Sequence, residues 1–139
     1  MQECYSKEVV FSDSVFLNLN SLEVKAMWHM LSIGAKDLEL KFDSVQGNDF
    51  EASCNWTAIY TFSLTKKKVV NIIHAEFELK NGQISRHNDY FSFYRWAKQA
   101  FGITGILLGW SPYMQRKVRA ASRKRLDVFI SQHSEYRAT

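Results

Sequence analysis

FELKNGQISRHNDYFSF, residues 77–93, decides the fold. Two alternating runs meet at Asn81-Gly82, a strong hairpin signal. Counting back from Phe93, alternate residues are Phe93, Phe91, Asp89 and His87. On a strand, two apolar rings and two ionisable groups would share one face. The hairpin register sets which face that is, because a slip of one residue flips every side chain. A two-residue loop pairs Asp89 with His74 and His87 with Glu76. It sets Phe91 and Phe93 opposite Ile73 and Phe77. A three-residue loop, Lys80-Asn81-Gly82, with Gly82 left-handed in a bulge, pairs Asp89 with Ala75 and His87 with Phe77. Ile73, Ala75, Phe77, Phe91 and Phe93 then form one apolar face. Burying a large apolar side chain is worth about 1.5–3 kcal/mol. An exposed cross-strand charge pair is worth about 0.2–1 kcal/mol. The second register is therefore expected, and it puts Asp89 and His87 on a concave, apolar side.

The flanking sequence supplies the other elements. KEVVFSDSVF (7–16) carries Val9, Phe11, Asp13 and Val15 on one parity and reads as a strand. Asn20 and Glu23 form a capping box for a helix. That helix places Val24, Met27, Trp28 and Leu31 at helical spacing and ends at Gly34. DLELKFDSV (37–45) alternates as a half-buried strand, with Leu38, Leu40 and Phe42 inward. FEASCNWTAIYTFS (50–63) is the strongest strand signal: Phe50, Ala52, Cys54, Trp56, Ala58, Tyr60 and Phe62 share a parity. KKKVVNIIHAEFELK (66–80) is a second long strand. After Trp96 the pattern turns helical and glycine-broken. Ser111-Pro112 caps a last helix with the stripe Met114, Val118, Ala121, Leu126, Phe129 and Ile130. The order implies a single α+β domain over residues 1–139, with a curved antiparallel sheet wrapped around helices.

Composition bounds the function. The chain has 139 residues, enough for one domain with a real core. Its longest apolar run, ITGILLGW (103–110), is too short to span a membrane. No membrane role is expected. Cys4 and Cys54 are far apart and read as free thiols of a cytoplasmic protein. His29 and His74 read as surface or internally satisfied histidines, and no metal-ligand spacing occurs, so no metal is expected. No Gly-rich loop precedes a helix, so nucleotide binding has no support. Charge is uneven: −3 over residues 1–89 and +7 over residues 90–139. The basic run RKVRAASRKR reads as a solvated helix face. No stacking aromatics are interleaved with it, which argues against nucleic acid.

A buried carboxylate must find donors, change its pKa or sit beside water. Asp89 therefore has two readings. It bonds a backbone group or hydroxyl within the core, or it is an acid/base in a cavity. His87 on the same face, and Asp13 on another strand, favour acid–base chemistry.

VVFSDSVF with its capped helix, SCNWTAIYTF, HAEFELKNGQISRHNDYFSFYRWAKQAFG and LLGWSP together resemble the nuclear transport factor 2-like superfamily. More narrowly they resemble its SnoaL-like branch, with ketosteroid isomerases and limonene epoxide hydrolase as relatives. The resemblance implies a cone-shaped sheet around a deep apolar pocket, no cofactor, and homodimers through the sheet's outer face. It matches Asp13 to the isomerase's general base and Asp89 to the acid or base of the cyclases and the hydrolase. His87 would tune Asp89. Phe11, Trp56, Tyr60, Phe77 and Phe91 would line the pocket for a small apolar molecule. The isomerase's second Asp falls at Ala75, and the hydrolase's Arg and Asp fall near Trp56 and Ala58, so neither mechanism is complete. MQECY matches the last turn of the family's N-terminal helical segment, which is expected to be absent or truncated. The expected function is acid/base catalysis of isomerase, cyclase or hydrolase type. A non-catalytic ligand-binding or dimerisation module is the alternative.

Overall fold

The structure, a computed structural model, describes residues 2–137. Five strands make one curved, open sheet. They are β1 (Tyr5–Ser12), β2 (Glu39–Gly47), β3 (Glu51–Thr61), β4 (Lys68–Lys80) and β5 (Gln83–Tyr90), in the order β1-β5-β4-β3-β2. From β2 to β5 each strand pairs antiparallel with the next. β1 instead lies parallel to β5, which corrects the expectation of a wholly antiparallel sheet. A parallel pair cannot be joined by a tight turn. Here the rest of the sheet lies between the two strands in sequence.

The β4–β5 hairpin has the expected register, reached by a different route. Asn81 (φ 53°) and Gly82 (φ 74°) form a two-residue turn closed by Lys80 and Gln83. Positive φ at both positions is the signature of a hairpin turn matched to strand twist. The extra residue is Ser85: Ile84 faces Leu79, whereas Arg86 faces Glu78. That bulge shifts the pairing by one, so Phe77 faces His87 and Ala75 faces Asp89. The expected three-residue loop is thus replaced by a two-residue turn and a bulge two residues beyond it.

β5 ends at Tyr90, so Phe91 and Phe93 are not strand residues. Ser92 caps α2 (Phe93–Phe101) by accepting from Arg95 N at 3.3 Å. Phe93, Trp96, Ala97 and Ala100 form the buried stripe of α2 and pack with Val69. A side-chain cap and this period-3.6 stripe outweigh two further residues of strand alternation.

α1 (Ser21–Gly34) has the capping box, with Asn20 Oδ1 accepting from Leu22 N and Glu23 N and Glu23 accepting from Asn20 N. Val24 and Met27 are buried and Trp28 is half-buried, whereas Leu31 is exposed. α3 (Ile103–Leu108) folds back on α2 at Gly105, where a Cβ would lie 2.0 Å from the Ala97 carbonyl oxygen. Only glycine permits that approach. α4 (Pro112–Gln132) begins at Ser111, as its cap and Pro112 imply. It crosses both hydrophobic clusters: Met114 lies in the one around α2, Leu126 in the one built on β1 and α1. Ala121, expected on its buried stripe, is exposed.

The basic run on α4 is not merely solvated. Arg119 Nε donates to the Ser14 carbonyl at 3.1 Å, and Arg123 bridges Glu23 at 2.5 Å and Asp127 at 2.9 Å. The Ser14 and Glu23 contacts hold α4 on the β1–α1 region, and the Asp127 contact, within α4, orients Arg123. β2 departs furthest from expectation. It is the sheet's edge and is exposed on both faces, with Phe42 at 74%. Its alternation marks which face looks inward, but among the described residues little covers that face.

Candidate functional site

Register carries two ionisable side chains of β5 into the apolar interior. Asp89 is 4% exposed and His87 1%. His87 Nε2 lies 2.9 Å from Asp89 Oδ1. Trp56, on β3, donates its indole N–H to the same oxygen at 3.3 Å. On the other side of the imidazole, Tyr5 OH lies 2.7 Å from His87 Nδ1. Trp28, on α1, donates its indole N–H to Tyr5 OH at 3.0 Å.

The donors fix where the protons lie. An indole N–H can only donate. Tyr5 oxygen therefore accepts from Trp28. A carboxylate can only accept, so Nε2, facing Asp89, carries the ring proton, and in the neutral ring Nδ1 is left to accept the Tyr5 proton. The Nε2 proton is donated to Asp89 Oδ1, where Trp56 also donates. The result is one directional chain, Trp28 to Tyr5 to His87 to Asp89, drawn from α1, β1 and β5, with Trp56 of β3 meeting its end. Burial, with Asp89 adding to it, raises the Tyr5 pKa far above its ordinary value, so this hydroxyl keeps its proton. Rings wall the imidazole: Phe77 at 4.4 Å, Phe11 edge-on at 4.9 Å and Trp28 stacked at 6.4 Å between centroids.

Asp13 is near this chain without joining it. β1 ends at Ser12, and Asp13 turns the chain, with Oδ1 accepting from Val15 N and Phe16 N at 2.6 Å each. Burial raises its pKa to about 6 against these two bonds; the negative charge of Asp89 also raises it and His87 lowers it. Among the described residues no hydrogen bond links Asp13 to Asp89 or His87.

The expected pocket residues divide. Trp56 touches Asp89, and Phe77 packs on His87. Phe11 is fully buried, so it walls the imidazole and offers no surface to a ligand. Tyr60 accepts from Trp96 Nε1 at 2.9 Å in the α2 cluster, and half-buried Phe91 packs there too. Burial raises the Tyr60 pKa. Two open grooves, of about 530 and 640 Å3, lie on the sheet surface and its rim, and neither is lined by Asp89 or His87.

Sequence reading missed Tyr5, and it placed Trp28 on the packing stripe of α1 as core or pocket wall without its polar partner. Tyr5 shares the parity of Val9 and Phe11, which was an available signal. Lys7 on the same parity obscured it, and β1 shifts register against β5 between Tyr5 and Val10. His29 is half-buried and lies 3.1 Å from Tyr136 OH through its Nδ1, as a satisfied histidine would. His29, His133 and Glu135 come together with one potential ligand atom each, all within 4.8 Å of one another, although no spacing in the sequence announces them.

No protein-family model and no curated protein matches the chain. Solved structures do match. A protein from Catenulispora acidiphila with a ketosteroid isomerase-like fold aligns with a TM-score of 0.64 at 8% identity, over 80% of this chain and 84% of that one. A SnoaL-like polyketide cyclase from Jannaschia aligns at 0.63 and 12%, over 73% and 76%. An epoxide hydrolase of the limonene epoxide hydrolase-like type from M. tuberculosis aligns at 0.59 and 15%, over 77% and 80%. The chain has the nuclear transport factor 2-like fold.

Proposed function

We propose that this protein binds a small apolar molecule in the sheet's concavity and moves a proton on it without a cofactor, with Asp89 as acid/base. The observation that carries this reading is the oriented chain ending on Asp89 Oδ1. Trp56 and His87 both bind that one oxygen, so Oδ2 is the oxygen left to exchange a proton with a ligand. Held by two donors among apolar rings, the carboxylate is pre-organised rather than freely rotating. His87 would compensate charge on Asp89 as the proton comes and goes, and Tyr5 would hold the ring's tautomer. Asp13, with its pKa near 6, is a second group able to change protonation near neutral pH. The uncovered inner face of β2 at Leu40 and Phe42 gives an apolar approach.

A second reading, a non-catalytic ligand-binding or dimerisation module, has an observation of its own. The His87 and Asp89 side chains are only 2% and 3% exposed, and a fully paired buried network can serve specificity of folding alone. In either case the partner surface we favour is the sheet's outer face, where Val70, Ile72 and Tyr90 are exposed together, and the partner a second copy of the chain. Nucleic-acid binding through α4 has less support, because Arg119 and Arg123 already serve contacts within the fold.

The test is a thermal-shift screen of small apolar ketones, enones and epoxides, followed by NMR detection of solvent deuterium entering bound hits. Asp89→Asn should retain affinity within about threefold and lose exchange or turnover by at least about a hundredfold, the usual share of a general acid–base. A hit that exchanges equally well with Asp89→Asn would leave the non-catalytic reading. Absence of any hit would remove both.

A further inference from the structure

We infer that His29, His133 and Glu135 form a binding site for a divalent d-block cation of the zinc type. The three come from separate parts of the chain: α1, the residue that caps α4, and a 3-10 turn at Ser134–Tyr136. One ligand atom from each lies within 4.8 Å of the other two. Two imidazoles and a carboxylate are a donor set suited to Zn2+, Co2+ or Ni2+, and not to the oxygen-only coordination of Ca2+ or Mg2+.

The surroundings are those a ligand shell needs. His133 Nδ1 lies 2.8 Å from the Phe129 carbonyl oxygen, so it donates there and carries the ring proton. Nε2 is then the lone-pair nitrogen. His29 Nδ1 lies 3.1 Å from Tyr136 OH. Coordinating histidines are commonly fixed in this way through their other nitrogen. His133 also stacks on Phe129 at 3.9 Å, and His29 meets both Phe129 and Tyr136 edge-on. Both rings are half-buried and Glu135 is exposed. Metal bonds of about 2.0–2.2 Å bring ligand atoms to about 3.3–3.6 Å of one another. Small rotations of the two half-buried rings and of the exposed Glu135 side chain close the remaining gap of about 1 Å. Three protein ligands leave the fourth position to water. Bound metal would pin the turn after α4 onto α1.

The test is calorimetric titration of the full chain, stripped with EDTA, with ZnCl2, backed by thermal melting. One ion per chain is expected, with a rise in melting temperature of about 5–10 °C at a hundredfold excess over the dissociation constant. His29→Ala and His133→Phe should each weaken binding at least tenfold. The second keeps a ring on Phe129, and melting without metal verifies that both variants fold. Glu135→Gln should weaken it less. Cys4→Ser, which removes an exposed thiol, should leave it unchanged. Co2+ bound to wild type should show the strong visible bands of four-coordinate cobalt, absent from His133→Phe. No stoichiometric binding, or binding that survives the two histidine substitutions, would overturn the assignment.

Discussion

Tyr5 OH and His87 Nδ1 lie 2.7 Å apart although 82 residues separate them in sequence. The bond joins the first strand to the last and sits at the centre of a buried polar chain. Tyr5→Phe keeps the ring and deletes the hydroxyl. It strips His87 Nδ1 and Trp28 Nε1 of their partner at once. Each buried polar group left unpaired costs about 1–3 kcal/mol. Urea unfolding should show a loss of about 2–4 kcal/mol. A loss below about 0.5 kcal/mol would mean that the chain does not hold β1 to β5.

Asp13 makes stability depend on pH in a definite direction. Its folded pKa, about 6, lies above the ordinary 3.8, so the folded state binds this proton more tightly. The contribution is complete below the ordinary value and is lost as pH rises through about 6. Asp13→Asn retains Oδ1 as acceptor for Val15 N and Phe16 N and carries no charge. The variant's stability relative to wild type should rise between pH 5 and pH 8, by on the order of 1–2 kcal/mol. Equal stability differences at the two pH values would sink this account of Asp13.

Ser85 is the extra residue of the bulge, and the site does not need it to stay in register. With Ser85 deleted, Arg86 follows Ile84 and faces Glu78, so His87 still faces Phe77 and Asp89 still faces Ala75. The two-residue turn and the inward face of the site are then kept without a bulge. The deletion variant should show a cooperative, native-like thermal transition by circular dichroism, as Ser85→Ala should. Loss of that transition in the deletion alone would show that the bulge itself is needed to shape the sheet.

Ile72, 59% exposed on the outer face, tests the proposed second copy. Ile72→Glu should shift the mass measured by light scattering from dimer to monomer while leaving the far-ultraviolet spectrum unchanged. A wild-type protein that is monomeric at high concentration would end that proposal.

Much of the architecture was legible because it rests on local rules. The Asn20–Glu23 box, the Ser111-Pro112 start and the β3 and β4 alternation each follow from a few neighbouring residues. The inward face of Asp89 was legible too, since burial of Phe77 and Ala75 demanded it. What was not legible lay in long-range or competing effects. Alternation at Phe91 and Phe93 suggested strand until Ser92 offered a better cap. The parallel partner of β1 is chosen by tertiary packing, which no short window contains. Exposure of Phe42 and Leu40 depends on what covers β2, and their pattern records only which side they face. Tyr5 entered the site through a shift in register within β1, and His29 met His133 through the docking of α4 on α1.

The pairing of β1 with β5 also dictates timing. β1 is made first, yet its partner strand is among the last parts of the sheet to be synthesised. Contacts so distant in sequence form slowly, because a long loop must close before they yield any gain. Until then β1 has no neighbouring strand, and only Leu19 and α1 cover part of the Val9 and Phe11 side chains. β2 to β5 can zip as successive hairpins in the meantime. The hydrogen-bonded chain through Tyr5 and His87 therefore assembles at the end of folding, and in the newly made protein Asp89 lacks its ordered partners until the last strand has closed on the first.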